Sequence, residues 1–357
     1  MKSILENIKV LELSNVLAGP SVGMFFAELG AEVVKVENKM TGGDLTRQWK
    51  LPFENEHNPA SFYYYSANWN KEVVFLNLLD SSDREELEKF LAVADILLIN
   101  FKKGDAQRFD LETSVLHKRY PSLIIGEITG FDDDRVAYDA VLQAETGFMS
   151  LNGEEGGLPL KMPVALIDVL TAHQLKEGIL LALLQRNITG KGAFVTASLY
   201  RTGVSSLVNQ ASTFLNTGIV PSKMGSLHPT IAPYGEVFKC EDNEYILLAI
   251  GTDAQFSKFC KVMGLIYLVE DDRFATNQER VRNRMNLNKI LSECIVNWSS
   301  DGLIHALNLE KVPAAVVHSI DQVFENKTAQ SMVLTQQEPD GVISKRVSTI
   351  AFDIAFL

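Results

Sequence analysis

The residue best placed for chemistry is Asp168, which stands between an apolar stretch, Pro163 to Ile167, and an apolar helical pattern, Val169, Leu170, Leu175, Ile179, Leu180, Leu183 and Leu184. As a helix N-cap it is an ordinary use of aspartate. The same position also suits a carboxylate nucleophile, because backbone N–H groups and the helix dipole favour the ionised form. Burial would push its pKa the other way. Arg47, Lys71, Lys102, Lys103 and Arg108 follow turns or strand ends in the first half. Singly each reads as a solvated charge; together they form the positive patch an anionic ligand needs, at the carboxyl ends of strands where open sheets bind ligands. Gly19-Pro20-Ser21-Val22-Gly23 matches the GxSxG pattern of a nucleophile elbow. It follows the first strand and carries Pro directly before Ser, so it reads as a turn opening a helix. The six histidines form no HExxH pair, and no protein metal site is expected. No GxGxxG follows a strand and Gly190-Lys191 lacks the rest of a P-loop, so no nucleotide cofactor is expected either. The aromatic stretch Ser61 to Lys71 (SFYYYSANWNK) reads as core packing in preference to base stacking.

These residues need a scaffold, and the first half alternates β-branched runs with helical patterns, the signature of βαβ units in an α/β fold. Lys9 to Leu13, Glu32 to Glu37, Asp95 to Asn100 and Ser122 to Ile128 read as strands. Helices are expected after Ala18-Gly19-Pro20, after Asp80-Ser81-Ser82, over Tyr138 to Met149, and from Asp168 to near Gly190, followed by a strand in AFVTASL. From about Gly225 the character changes. Tyr234 to Ile250 reads as a hairpin with Glu241-Asp242-Asn243 at its turn, and helices follow at about Asp253 to Met263 and Asn277 to Trp298. Val312 to His318 is expected to return the chain to the first domain. The division expected is 1–215, 225–312 and 313–357.

With 357 residues, two domains are the natural expectation. Hydrophobic residues make up 46% and charged residues 22%, an ordinary globular balance. The net charge of −12 argues against a nucleic-acid partner. Cys240, Cys260 and Cys294 are odd in number and form no CxxC, which fits a reducing, cytoplasmic setting. The stretch MKSILENIKVLEL carries Glu6 and Glu12 and does not read as a signal peptide, and no apolar run is long enough for a membrane span.

Taken in order, several segments resemble the family III coenzyme A transferases, the group that includes formyl-CoA:oxalate, carnitine and bile-acid CoA-transferases. They are VLELSNVLAGPSVGMFFAELGAEVVKVENKMTGGDLTR, NWNKEVVFLNL, ADILLINFKKGDAQRFDL, AYDAVLQAETGFMSLNG, ITGKGAFVTASL, HPTIAPYGEVF and DDRFATNQERVRNR, spread from Val10 to Arg284. The resemblance implies a Rossmann-like large domain with a parallel sheet, a smaller α+β domain, and a homodimer of two interlocked chains. It implies acyl-CoA and a small carboxylic acid as substrates. Asp168, in VALIDVLTA, is the position it marks as catalytic: an aspartyl-CoA thioester would form there. The CoA contacts it implies are Val16 and Ala18 in the first loop, Asn100, Phe101 and Arg108 in INFKKGDAQR, and Arg47 and Lys71. Tyr138 and Asp139 would line the site. The same family holds 2-methylacyl-CoA racemases, which have His-Asp where this chain has Tyr138-Asp139, and a non-catalytic acyl-CoA-binding protein is a further alternative. The loop GFDDDRVAYD (Gly130 to Asp139) is shorter than the family's usual form.

Overall fold

A computed structural model describes residues 4–339 and 341–355. Met1 to Ser3 of the stretch read as carrying no leader, and Phe356 and Leu357 of the tail expected to return to the large domain, lie outside the described residues. Two compact units are present, one of Met1–Phe148, Lys161–Ile219 and Ser331–Leu357, the other of Met149–Leu160 and Val220–Gln330.

The first unit is built on a six-stranded sheet of β1 (Lys9–Leu13), β2 (Glu32–Asn38), β3 (Glu72–Leu76), β4 (Ile96–Ile99), β5 (Ile124–Thr129) and β6 (Phe194–Ser198). Their order is β3-β2-β1-β4-β5-β6 and every pairing is parallel. This is the Rossmann-like sheet the resemblance implies. Its strand order reverses between β1 and β4, the place where doubly wound sheets open a crevice for ligands. The central strands are buried along almost their whole length, as a sheet covered on both faces requires. Alternation then sorts the side chains. Val10, Ile96, Leu98 and Ile124 face α1 (Ala18–Glu28) and a long helix over Leu166–Thr189, with Phe25, Phe26, Leu175 and Ile179 in one core. Leu11, Leu97, Ile99 and Ile125 pack into a second core with Leu87 and Leu91 of α2 (Ser81–Leu91). β3, in EVVFL, is an edge strand that the sequence pattern above does not single out.

Of the helices expected in this unit, Tyr138 to Met149 is broken: α3 (Asp139–Glu145) ends at Thr146, Gly147 has φ +88°, and a single turn follows. The long helix, α4 (Leu166–Thr189), begins earlier than expected. Its N-cap is Ala165, which supplies no side-chain cap, so Asp168 lies in the first turn and is not the N-cap. Gly190 closes the helix in the left-handed conformation, φ +70°.

In the second unit β7 (Tyr234–Lys239) and β8 (Tyr245–Ala249) make the expected hairpin. Val312 to His318 does not leave the unit. Ala314–Val316 instead forms β9, the third strand of this small sheet, because its extended backbone pairs antiparallel with β8. Asn277 to Trp298 is two helices, α5 (Asn277–Arg282) and α6 (Arg284–Ile295), broken at Asn283, whose side chain donates to the Glu279 carbonyl. The chain rejoins the first unit only at Ser331. There it adds a hairpin, β10 (Val333–Gln337) with β11 (Ile343–Val347), whose Arg346 donates to the backbone oxygen of Asn68.

Candidate active site

The turn after β1 is held by a chain of buried charges. Glu12 of β1 and Lys35 of β2 are direct cross-strand partners, and both side chains are fully buried. Lys35 Nζ reaches Glu12 Oε1 at 2.8 Å, the Ser14 carbonyl at 2.7 Å and Asp44 Oδ2 at 3.3 Å. Lys71 Nζ lies 2.8 Å from Glu12 Oε2 and donates to the carbonyl of Pro20 and the side-chain oxygen of Asn68. Glu37 takes Arg47 Nε at 2.6 Å and the Tyr64 hydroxyl at 2.6 Å. Burial alone would lower both lysine pKa values. Glu12 and Asp44 outweigh it at Lys35, whose pKa rises, while at Lys71 burial prevails and the pKa falls to about 8.

This network has a local purpose at Val16. Its φ of +72° is an outlier for a β-branched residue. The Asp44 carboxylate accepts the Val16 amide, at 3.1 Å to Oδ2, and so holds the turn. Asn100, just beyond β4, closes it from the other side, accepting from Asn15 N at 3.0 Å and donating to Asn15 O at 2.9 Å. The GxSxG pattern is explained here too. A Cβ at Gly19 would meet Ser14 at 2.4 Å, and one at Gly23 would meet Glu12 Oε2 at 1.8 Å, so both glycines serve the close approach of α1 to the charged cluster. Ser21 lies inside α1 and the strained residue is Val16.

Above this turn opens a cavity of about 1150 Å³ at the carboxyl ends of the strands. Asn15, Val16, Asn100, Phe101, Arg108 and Tyr138 line it, with the short loop Gly130–Val136 on one flank. Among its cations, Lys103 pairs with Asp134 and Arg135 with Asp133 and Glu145. Lys102 and Arg108 have no acidic partner among the described residues and are free to meet an anion. Ala18, Arg47, Lys71, Asp139 and Asp168 are not on the lining. Lys71 has a fully buried side chain and Arg47 one that is 13% exposed, each engaged by a glutamate. Both serve the turn.

Asp139, directly after the cavity-lining Tyr138, opens the Asp168 corner. Its Oδ1 accepts the Ile167 amide at 2.8 Å, capping α4 from a helix elsewhere in the chain, and its Oδ2 accepts from Gln143 at 2.6 Å. Asp168 itself is 8% exposed, and its carboxylate has no hydrogen bond or ion pair among the described residues. Burial first, and the charge of Asp139 second, push its pKa up to about 7. Tyr63 completes the corner: burial and the carboxylates of Asp168, Asp139 and Asp44 push its phenol up to about 12, so it stays protonated as a hydrogen-bond donor. Sequence reasoning passed over Tyr63, although it lies in the aromatic stretch Ser61 to Lys71. A buried carboxylate poised near neutrality can act as a nucleophile or move a proton.

The match of the family model for CoA-transferase family III to residues 5–356 decides the family. The chain belongs to CoA-transferase family III. A succinate–glutarate CoA-transferase from Agrobacterium fabrum is 33% identical over 98% of this chain and 89% of its own length. The human succinyl-CoA:glutarate CoA-transferase is 33% identical, over 90% of this chain and 73% of that protein. Among solved structures, a CAIB/BAIF family protein from Brucella suis has 34% identity and a TM-score of 0.87, covering 99% of this chain and 94% of that one. This family III CoA-transferase is thus an enzyme with the fold its sequence implies. Among the described residues no helix is long and apolar enough to cross a membrane.

Proposed function

We propose that this enzyme moves coenzyme A between dicarboxylic acids through covalent intermediates on Asp168. The observation that carries the reading is the buried carboxylate of Asp168, partnerless among the described residues and with its pKa near 7, coupled to Asp139, whose chain neighbour Tyr138 lines the cavity that also holds Lys102 and Arg108. In the first step a carboxylate oxygen of Asp168 attacks the thioester carbon of the donor; the C–S bond breaks and CoA leaves as thiolate, giving an acyl-aspartyl anhydride. The thiolate attacks the Asp168 carbonyl of that anhydride, releasing the donor acid and leaving an aspartyl-CoA thioester. The acceptor carboxylate then attacks this thioester and the steps run in reverse. Thioester energy is retained throughout, and no ATP is needed. Arg108 and Lys102 suit the phosphates of CoA, the strained Val16 turn and Asn100 shape the approach beneath them, and Tyr63 can donate to oxyanions formed at Asp168.

Dicarboxylates are the substrate class favoured by the relatives, whose names give succinate with glutarate, mesaconate or, in an acetyl-CoA enzyme, oxalate. The racemase alternative needs a second acid/base facing C2. Here Tyr138 stands where those enzymes have histidine, and both oxygens of Asp139 are occupied. We take the working unit to be a homodimer in a cytoplasmic setting. The test is to incubate the enzyme with succinyl-CoA and a panel of free mono- and dicarboxylic acids, without ATP, and to read the CoA esters by mass spectrometry. New dicarboxyl-CoA esters are expected. Deuterium entering C2 of a 2-methylacyl-CoA without CoA exchange, or CoA binding with no ester consumed, would contradict the proposal.

A further inference from the structure

We infer that Gln143 is a positioning residue for the reaction: its buried amide locks Asp139 and the entry to α4 into one arrangement, and through them fixes Asp168. This rests on the reading of Asp168 as the nucleophile. Gln143 is fully buried, so its amide has no water to turn to and each of its groups must find a partner in the protein. It finds them on two segments. Asp139 and Gln143 are four residues apart in α3 and share one face of it. From there Nε2 donates to Asp139 Oδ2 at 2.6 Å and lies 3.4 Å from the carbonyls of both Met162 and Val164, while Oε1 accepts the Met162 amide at 2.7 Å. One amide therefore both donates and accepts across the gap between α3 and the segment that leads into α4.

The need for such a clamp follows from how α4 begins. Ala165 supplies no side-chain cap, so the free amide of Ile167 depends on Asp139, 28 residues away in sequence. A carboxylate held by one oxygen alone can turn about its Cβ–Cγ bond. With the second oxygen fixed by Gln143, Asp139 keeps its hold on Ile167, and its charge stays beside Asp168, which directly follows Ile167. An apolar residue of the same size at 143 would fill the volume but leave Met162 N, the Met162 carbonyl and Asp139 Oδ2 without this partner. Gln143 does not line the cavity, so its effect belongs to the chemical steps and not to CoA binding.

The test uses the full-length enzyme with Gln143→Leu, Gln143→Glu and Asp139→Asn, singly and combined. Gln143→Leu is expected to lower kcat about 100-fold while KM for acyl-CoA stays within about twofold, the size of effect that a misplaced reacting group produces. In the Asp139→Asn background the same change should cost no more than about twofold, because the two residues act as one unit. Gln143→Glu places a second negative charge near Asp168 and should move the acid limb of the rate upward in pH; Asp139→Asn removes one and should move it downward. The exchanged pair, Asp139→Asn with Gln143→Glu, restores a donor and an acceptor between the two positions and should recover about tenfold in kcat over Gln143→Glu alone. Hydrogen exchange at the Ile167 amide reads the clamp independently of catalysis and should quicken in Gln143→Leu. Unchanged kcat and Ile167 exchange in Gln143→Leu, or penalties that multiply with Asp139→Asn, would overturn the inference. A wild-type enzyme that exchanges no CoA would instead defeat the transferase reading, with the Ile167 result still deciding the clamp.

Discussion

Two sites of buried carboxylates in the large unit are treated in opposite ways. Beneath α1, Glu12, Glu37 and Asp44 are each met by Lys35, Lys71 or Arg47 at between 2.6 and 3.3 Å. At the start of α4, Asp168 is also buried and has no cationic partner among the described residues. Three negative and three positive charges balance in the first group, and its work is geometric: it holds the Val16 turn under the cavity. In the second, burial first and the charge of Asp139 second raise the pKa of Asp168 to about 7, with no cation among the described residues to offset them. The fold thus uses these ion pairs for shape and leaves Asp168, the acid proposed to do the chemistry, without one, while Arg47 and Lys71 are held by Glu37 and Glu12 and Arg108 has no acidic partner among the described residues.

The sharpest way to break the comparison is at the unpaired acid. Asp168→Asn should abolish CoA exchange, lowering kcat by about a thousandfold or more, since no nucleophile remains. The same change should raise the melting temperature, and by more at pH 8 than at pH 5. The sign follows from burial: a carboxylate whose pKa is raised on folding costs stability once pH climbs above its unfolded value, and the whole cost is present above the folded value of about 7. The paired group should behave in reverse. Lys35→Met leaves Glu12 and Asp44 short of their shared cation in a fully buried site, and should destabilise the protein by about 3 kcal/mol or more in chemical denaturation. Asp44→Ala is a smaller disturbance, which frees the Val16 amide and lets the strained turn relax. A rise in KM for acyl-CoA of about tenfold is expected, with covalent chemistry at Asp168 preserved. If Asp44→Ala left KM unchanged, the network would have no bearing on the site.

Much of the scaffold was legible because parallel sheets bury β-branched runs: KVLEL, EVVKVE and DILLIN all proved to be strands. EVVFL was passed over although it is of the same type, being a half-buried edge strand with weaker patterning. VPAAVVH carries no sign of which sheet it joins, since strand pairing is a matter of register and partners and not of local composition. Asp168 was legible as a candidate, but not its place in the helix. A cap normally comes from the residue just before the first turn; here it comes from Asp139, and local spacing cannot reveal a partner 28 residues distant. The withdrawal of Arg47 and Lys71 from the cavity was hidden for the same reason. Their carboxylates, Glu37 and Glu12, sit on neighbouring strands and meet them only after folding.

The central claim is that Asp168 becomes covalently acylated. The most direct measurement is peptide mass spectrometry of the enzyme incubated with succinyl-CoA and quenched with hydroxylamine, which captures activated carboxyl groups as hydroxamates. The account predicts one hydroxamate, on the peptide containing Asp168, formed more readily as pH rises through about 7 and absent from Asp168→Asn. A hydroxamate on Asp139 or any other carboxylate, or CoA exchange with no trapped carboxylate anywhere, would contradict it.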